Sequence, residues 1–409
     1  MIVFDISRLL SRSDRRTPTG IDRVELAYAE HLIAGSAPLC FTALTPWGGL
    51  GVLPRPAADD YVAAIAAVWR GAAISPSRRR RVRRLAWRLR LAPLRHGPRS
   101  LHARLPAAVE QPVYLLVSHH HLERRRLIGR LKRRGRTSFV CLIHDLIPME
   151  FPEYARPGQD LRHRRRIETA ALLADAVIVG SAATRDALQP HPDRGGHTPT
   201  VLVSPFGIDL PEVTADGPPL PEAPYFICVG TIEPRKNHLL LLNLWRQLAA
   251  ECGPRAPRLV LVGHRGWETG NAVEMLDRCP ALRGVVLERD YVPDAEMARL
   301  LKGSRALLLP SFAEGFGFPM VEALGLGVPV LCSGLAALRE NGGDVPEYLD
   351  PLDSGGWRDA ILDYSSESSP RRQAQLSRLE GWKTTGWQGH FAAVDALIAQ
   401  ICALAGRTG

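Results

Sequence analysis

Two glutamates, Glu314 and Glu322, stand on either side of the turn Gly315-Phe316-Gly317-Phe318-Pro319. Ionised carboxylates only accept hydrogen bonds, so the pair suits the hydroxyls of a sugar or ribose. The same pair could also serve as the two carboxyls of a glycosidase. A glycine turn that runs straight into a helix leaves backbone N–H groups able to face an anion. Upstream, Gly230-Thr231 precedes Arg235-Lys236, a planar fork and a point charge of the kind that binds phosphate oxygens. Cations, amides and carboxylates at such positions describe a site for a diphosphate flanked by two polyols, which is a nucleotide-sugar.

Three further groups precede these. His144-Asp145 follows the apolar run Ser138–Ile143, and polar residues leaving a buried strand are where open α/β sheets keep their ligand groups. Thr19-Gly20 lies where a polar loop turns into a helix, either as a plain cap or as a close backbone approach to an anion. Ser118-His119-His120-His121 ends the run Val113–Val117. Consecutive strand residues point to opposite faces, so these histidines cannot share one metal. One of them facing a cleft remains open, and no metal ligands are expected.

Every one of these groups sits next to a strand-sized apolar run. In the first half such runs are Ile2–Ile6, Val113–Val117, Ser138–Ile143, Ala176–Val179 and Thr200–Ser204. In the second they are Tyr225–Val229, Arg258–Val262, Gly284–Leu287, Ala306–Leu309 and Val328–Cys332. Helical patterns fall between them, over Ile21–Ala34, Asp160–Leu173, Leu239–Glu251, Ala295–Leu301 and Pro319–Leu326. This alternation predicts an α/β protein with two doubly wound parallel sheets. Leu210–Pro224 contains five prolines and reads as a linker. The expected division is therefore 1–209, a linker over 210–224, a second domain over 225–386, and a C-terminal amphipathic helix over 387–409 that packs back on the first domain.

A chain of 409 residues is too long for one core. Its 45% hydrophobic and 23% charged residues exclude a disordered protein. No apolar run approaches the roughly 20 residues of a membrane span, and the first residues form a strand without a signal-peptide layout. A cytoplasmic protein is expected, with its 7 cysteines reduced. Residues 1–210 hold 33 Lys and Arg against 18 Asp and Glu, whereas the remainder holds 19 against 24. The first half therefore faces an acidic partner. Its densest run, Ser77–Arg99, alternates arginines with Val82, Leu85, Trp87, Leu89 and Leu91. It is either a basic amphipathic helix at an anionic membrane surface, spanning Arg78–Arg99, or a solvated or partly disordered insertion. No nucleic-acid motif accompanies the charge.

GTIEPRKNH, GHRGW, DYVPD and PSFAEGFGFPMVEALGLGVPVL resemble the donor domain of the retaining glycosyltransferases of family 4, the group 1 transferases of GT-B fold. The seven-residue gap between Glu314 and Glu322 is that family's signature, and TPTGIDRVE, HDLIP and PFGID follow its order in the first half. The resemblance spans nearly the whole chain and is weakest over 45–110. It implies two Rossmann-like domains facing across a cleft. It places Arg235 and Lys236 on the donor diphosphate, near Gly230 and Thr231, with Gly20 opposite. Glu314 and the backbone of Gly315, Phe316 and Gly317 would hold the sugar, Glu322 the ribose, and the loop at Tyr291-Val292 the base. His144 would lie over the reacting sugar face, with His119 and Asp145 toward the acceptor.

The resemblance further implies retaining transfer without a metal or other cofactor. The donor would be a nucleotide-diphosphate sugar, GDP-mannose-type ahead of a UDP-sugar. The acceptor would be a surface glycan or lipid-diphosphate-linked glycan, reached from the inner face of the plasma membrane. A sugar-nucleotide epimerase of the same fold and a non-catalytic membrane scaffold are the rival expectations.

Overall fold

The computed structural model describes residues 1–71, 75–95, 111–135, 137–189, 198–211, 213, 219–221 and 224–407. The linker stretch 210–224 and the end of the basic run, 96–99, lie partly or wholly outside the described residues. The chain forms two compact units. One comprises Met1–Glu150, Pro157–Gly207 and Thr385–Gly409; the other comprises Phe151–Arg156 and Ile208–Thr384.

The first unit begins β1 (Ile2–Asp5), α1 (Ser7–Ser11), α2 (Gly20–Ala34), β2 (Leu39–Leu44), β3 (Leu50–Val52), α3 (Arg55–Arg70) and α4 (Pro76–Arg95). It continues with β4 (Val113–Leu116), α5 (Arg125–Gly135), β5 (Ser138–Ile143), α6 (Ile147–Glu150), α7 (Gln159–Leu173), β6 (Ala176–Val179), α8 (Ala182–Leu188) and β7 (Thr200–Val203). Its seven-stranded sheet has the order β3-β2-β1-β4-β5-β6-β7, parallel except for the β2–β3 hairpin. β1, β4 and β6 are buried at every residue, and β5 at all but its first. Parallel strands covered on both faces read as continuous apolar runs, which is why the sequence shows them so clearly. β4 stops at Leu116, so His119–His121 lie in a bend beyond the strand and the alternation expected of them does not apply.

α4 departs most from the sequence expectation. Val82, Ala86 and Leu89, spaced for one helix face, are buried. The helix packs on α3, α1 and β3, and a side chain at Gly51 would lie 2.3 Å from Pro93. Its apolar stripe therefore belongs to the protein core. Arg80, Arg81, Arg83, Arg84 and Arg88 stay exposed, together with Trp87.

The second unit contains β8 (Tyr225–Val229), α9 (His238–Cys252), β9 (Arg258–Val262), α10 (Gly270–Arg278), β10 (Val286–Arg289), α11 (Asp294–Gly303) and β11 (Leu307–Leu309). α12 (Phe318–Gly325), β12 (Val330–Ser333), α13 (Ala336–Gly342), β13 (Glu347–Leu349), α14 (Ser354–Ser365) and α15 (Pro370–Leu379) complete it. Its six strands run parallel in the order β10-β9-β8-β11-β12-β13. The core lies around Trp245, Phe226, Trp357 and Tyr364.

α16 (Trp387–Arg407) returns to the first unit. Phe391, Val394, Leu397, Ile398 and Ile401 are its buried stripe. His390 Nε2 lies 2.8 Å from the Tyr28 hydroxyl, and Phe391 stacks on His31 with centroids 4.0 Å apart. Gly207 admits the helix start, since a Cβ there would lie 2.2 Å from the Trp387 backbone nitrogen.

Candidate functional site

In both sheets the strand order reverses direction at one point, between β1 and β4 in the first and between β8 and β11 in the second. Loops leaving the carboxyl ends of the two strands diverge there and leave room for a ligand. Each unit carries a polar cluster at that point.

In the second unit the loop after β8 carries Arg235 and Lys236 in a short 3-10 turn, Pro234–Lys236. The loop after β11 carries Ser311 and Glu314. The two loops are tied by the Phe312 N–H, which donates to the Arg235 carbonyl at 2.8 Å. Glu314 is the hub. Lys236 Nζ donates to its Oε1 at 2.5 Å, Ser311 Oγ to the same oxygen at 2.7 Å, and Arg235 Nη1 to Oε2 at 3.1 Å. Arg235 also reaches the Ala313 carbonyl at 2.8 Å and Glu233 at 2.7 Å. Burial alone would raise the Glu314 pKa, but the Lys236 and Arg235 charges and their hydrogen bonds overcome it and hold it down to about 2. Glu314 is therefore ionised and an acceptor at neutral pH, so of the two glutamates it is not the one that could serve as a general acid.

Three donors use three of the roughly four lone-pair sites of that carboxylate, so it can take one more hydroxyl. Lys236 spends one of its three N–H bonds on Glu314, and the others can serve an anion. Gly315-Phe316-Gly317 leads into α12 with Gly317 at φ +88°, in the left-handed region that glycine tolerates. A Cβ there would also lie 2.3 Å from Leu338 Cδ2. Asn341 of α13 holds the turn by donating to the Phe316 carbonyl at 2.9 Å. Glu322 lies on α12, half-buried, so the two glutamates have different surroundings. Gly230, at φ +145°, and the half-buried Thr231 follow β8 directly, beside Lys236. Tyr291-Val292 follows β10 at the sheet edge, with Tyr291 half-buried and Val292 buried.

In the first unit β1, β4 and β5 end at Asp5, the His119 bend and His144. His144 Nε2 donates to the Val117 carbonyl at 2.9 Å, and the His144 N–H donates to His119 Nε2 at 3.2 Å. Burial lowers the His144 pKa to about 4, against the opposing pull of the Val117 carbonyl and Asp145. Burial, then His163 and His144, puts His119 well below the usual range. The Asp145 side chain accepts from the Ile147 N–H at 3.2 Å and so caps the turn into α6. His121 turns the other way, toward the Tyr114 hydroxyl at 2.8 Å, which donates to Asp5 at 3.1 Å. Among the described residues no three His, Cys, Asp or Glu side chains converge on a cation position. Gly20 opens α2, where Thr19 and Asp22 form a capping box and Arg8 meets Asp22 at 2.6 Å.

Three residues that position these groups went unassigned in the sequence: Ser311, Asn341 and His163. Ser311 was visible as a Ser-x-x-Glu spacing. The other two reach the site from helices whose approach only the fold determines.

Residues 223–366 match the family described as glycosyl transferases group 1. That segment is a group 1 glycosyltransferase domain. The chain is 37% identical over 164 residues to O-antigen chain mannosyltransferase B of Escherichia coli, covering 40% of this chain and 42% of that protein. It is 30% identical over 224 residues to the serotype-specific mannosyltransferase WbdA of Escherichia coli, covering 51% of this chain and 27% of that protein. The chain thus spans less than half the length of these mannosyltransferases. In structure it resembles sucrose-phosphate synthase of Thermosynechococcus elongatus, with a TM-score of 0.63 and 15% identity over 98% of this chain and 99% of that one. Trehalose 6-phosphate synthase of Burkholderia multivorans gives a TM-score of 0.60 at 12% identity, over 100% and 98%. The group 1 glycosyltransferase domain and its partner unit share the two-sheet GT-B fold of these proteins.

Proposed function

We propose that the chain transfers a sugar from a nucleotide-diphosphate donor to a hydroxyl of a glycan acceptor, with retention of configuration and without a metal. One observation carries this reading. A buried, ionised Glu314 is held by Lys236, Arg235 and Ser311 at the switch point of the second sheet, beside the glycine turn into α12. In this assignment Lys236 and Arg235 face the diphosphate, Glu314 and the amides of the turn hold the sugar, and Glu322 holds the ribose. Tyr291-Val292 takes the base, Gly20 the phosphates, and His144 the reacting sugar face, with His119 and Asp145 on the acceptor side.

The bond from C1 to the phosphate oxygen breaks as the leaving diphosphate gains charge, which the two cations and the turn's amides stabilise. The acceptor oxygen bonds to C1 from the same face. Its proton passes to the departing phosphate oxygen, and the nucleoside diphosphate leaves. Similarity to proteins named mannosyltransferases supports a mannosyl donor, which in this reading is GDP-mannose ahead of a UDP-sugar. The O-antigen chain in the name of one relative supports a surface-polysaccharide acceptor; in this reading it is free or on a lipid diphosphate and is reached from the cytoplasmic face of the membrane.

The test is incubation of the full chain with GDP-mannose or UDP-sugars and a mannose-terminated acceptor, with the new anomeric centre read by proton NMR. The expected product keeps the donor's α configuration and forms equally in EDTA. A β product, or transfer abolished by EDTA and restored by manganese, would overturn the reading. An epimerised sugar without transfer would favour the epimerase.

A further inference from the structure

We propose that His163 and His119 are positioning residues that hold the His144-Asp145 strand end in register, acting as a column of three neutral imidazoles. The three rings come from three elements: α7, the bend after β4, and the end of β5. His163 and His119 have ring centroids 4.9 Å apart, and His119 and His144 are 5.3 Å apart. All three are buried, His163 almost completely.

Their bonds fix their protons. His163 Nε2 faces the Asp145 carbonyl at 2.9 Å, and a carbonyl only accepts, so His163 carries its proton on Nε2. His119 accepts the His144 N–H on Nε2, so its proton is on Nδ1. His144 donates from Nε2 to Val117, which leaves its Nδ1 lone pair as the ring's only acceptor. Two backbone groups of the His144-Asp145 dipeptide, one N–H and one C=O, are thereby gripped from two sides by imidazoles of opposite tautomer.

The arrangement costs stability. His163 Nδ1 is buried with no partner among the described residues, and an unsatisfied buried polar atom is unfavourable. A phenylalanine would avoid that cost and fill similar space. What it would lose is the bond to Asp145, which points to positioning and not packing as the use of the ring.

The inference rests on the assignment of His144 to the reacting sugar, and two measurements keep the two apart. Long-range nitrogen–proton NMR of the full chain labelled at histidine nitrogen reads tautomers without any ligand. At neutral pH it should show Nδ1–H for His119 and Nε2–H for His144 and His163. His163→Phe should shift or broaden the His144 signals without lowering the melting temperature. His163→Gln, whose amide N–H falls where Nε2 does, should restore them, while His163→Asn should not. With GDP-mannose turnover as the second readout, His163→Phe should lower kcat about 10- to 100-fold with KM for the donor little changed.

Unmoved His144 signals in His163→Phe, a cationic pattern at neutral pH, or equal effects of the Gln and Asn variants would overturn the proposal. If His144→Ala itself transfers normally while Glu314→Gln does not, the assignment of His144 fails instead.

Discussion

At the scale of single residues, the second-unit cluster turns on how many donors Glu314 commands. A buried carboxylate of low pKa is stable only because Lys236, Arg235 and Ser311 all point at it. Ser311 is fully buried and contributes a hydrogen bond to a charged group, worth about 1.5–3 kcal/mol. Ser311→Ala should therefore lower the unfolding free energy by that amount, and the denaturant midpoint by that amount divided by the slope of the transition, with the slope unchanged. Donor turnover should fall with it, because Glu314 would be freer to turn toward its cations. An unchanged midpoint would show that Lys236 and Arg235 alone fix the carboxylate. The same residue shows how far motifs reach. Glu314, Glu322, Arg235 and Lys236 were legible because their side-chain chemistry is local and their spacing fixed. His163 and Asn341 were not, since nothing in an isolated helix says which loop its side chain will meet.

At the scale of elements, legibility follows burial. β5, β6, β8 and β9 begin and end where their apolar runs do. β3 went unseen because a three-residue strand at the sheet edge is only half covered and carries no continuous run; β2 and α3 went unread although both carry buried apolar residues. In α4 the density of arginine masked a regular buried face at Val82, Ala86 and Leu89. That face is spent on the protein, so any membrane affinity must come from the other side of the helix. Arg80, Arg81, Arg83, Arg84 and Arg88 there surround Trp87, which is 59% exposed, and Arg90 lies 5.8 Å over its ring. We expect the full chain to sediment with vesicles containing anionic lipid and to be released by salt, each arginine near the surface contributing about 1 kcal/mol. Replacing Arg80, Arg81 and Arg84 by Gln should abolish this without unfolding the helix. Binding to neutral vesicles, or binding indifferent to salt, would remove the lipid surface as the partner of this charge.

At the scale of the whole molecule, the two units solve one problem in the same way. Each is a parallel sheet whose order reverses once, and each gathers its polar groups at that reversal. The first gathers imidazoles and buried acids, the second cations around one carboxylate. α16 closes on the first unit through Tyr28, His31 and His390, so the chain's last helix completes the core its first strand begins. Calorimetric titration of the full chain with GDP tests most directly whether the second cluster is a nucleoside-diphosphate site. Saturable binding should be seen, weakened about 10- to 100-fold in Lys236→Met, the value of one charge-assisted hydrogen bond to phosphate. Absence of binding to both GDP and UDP, or equal affinity in Lys236→Met, would contradict it.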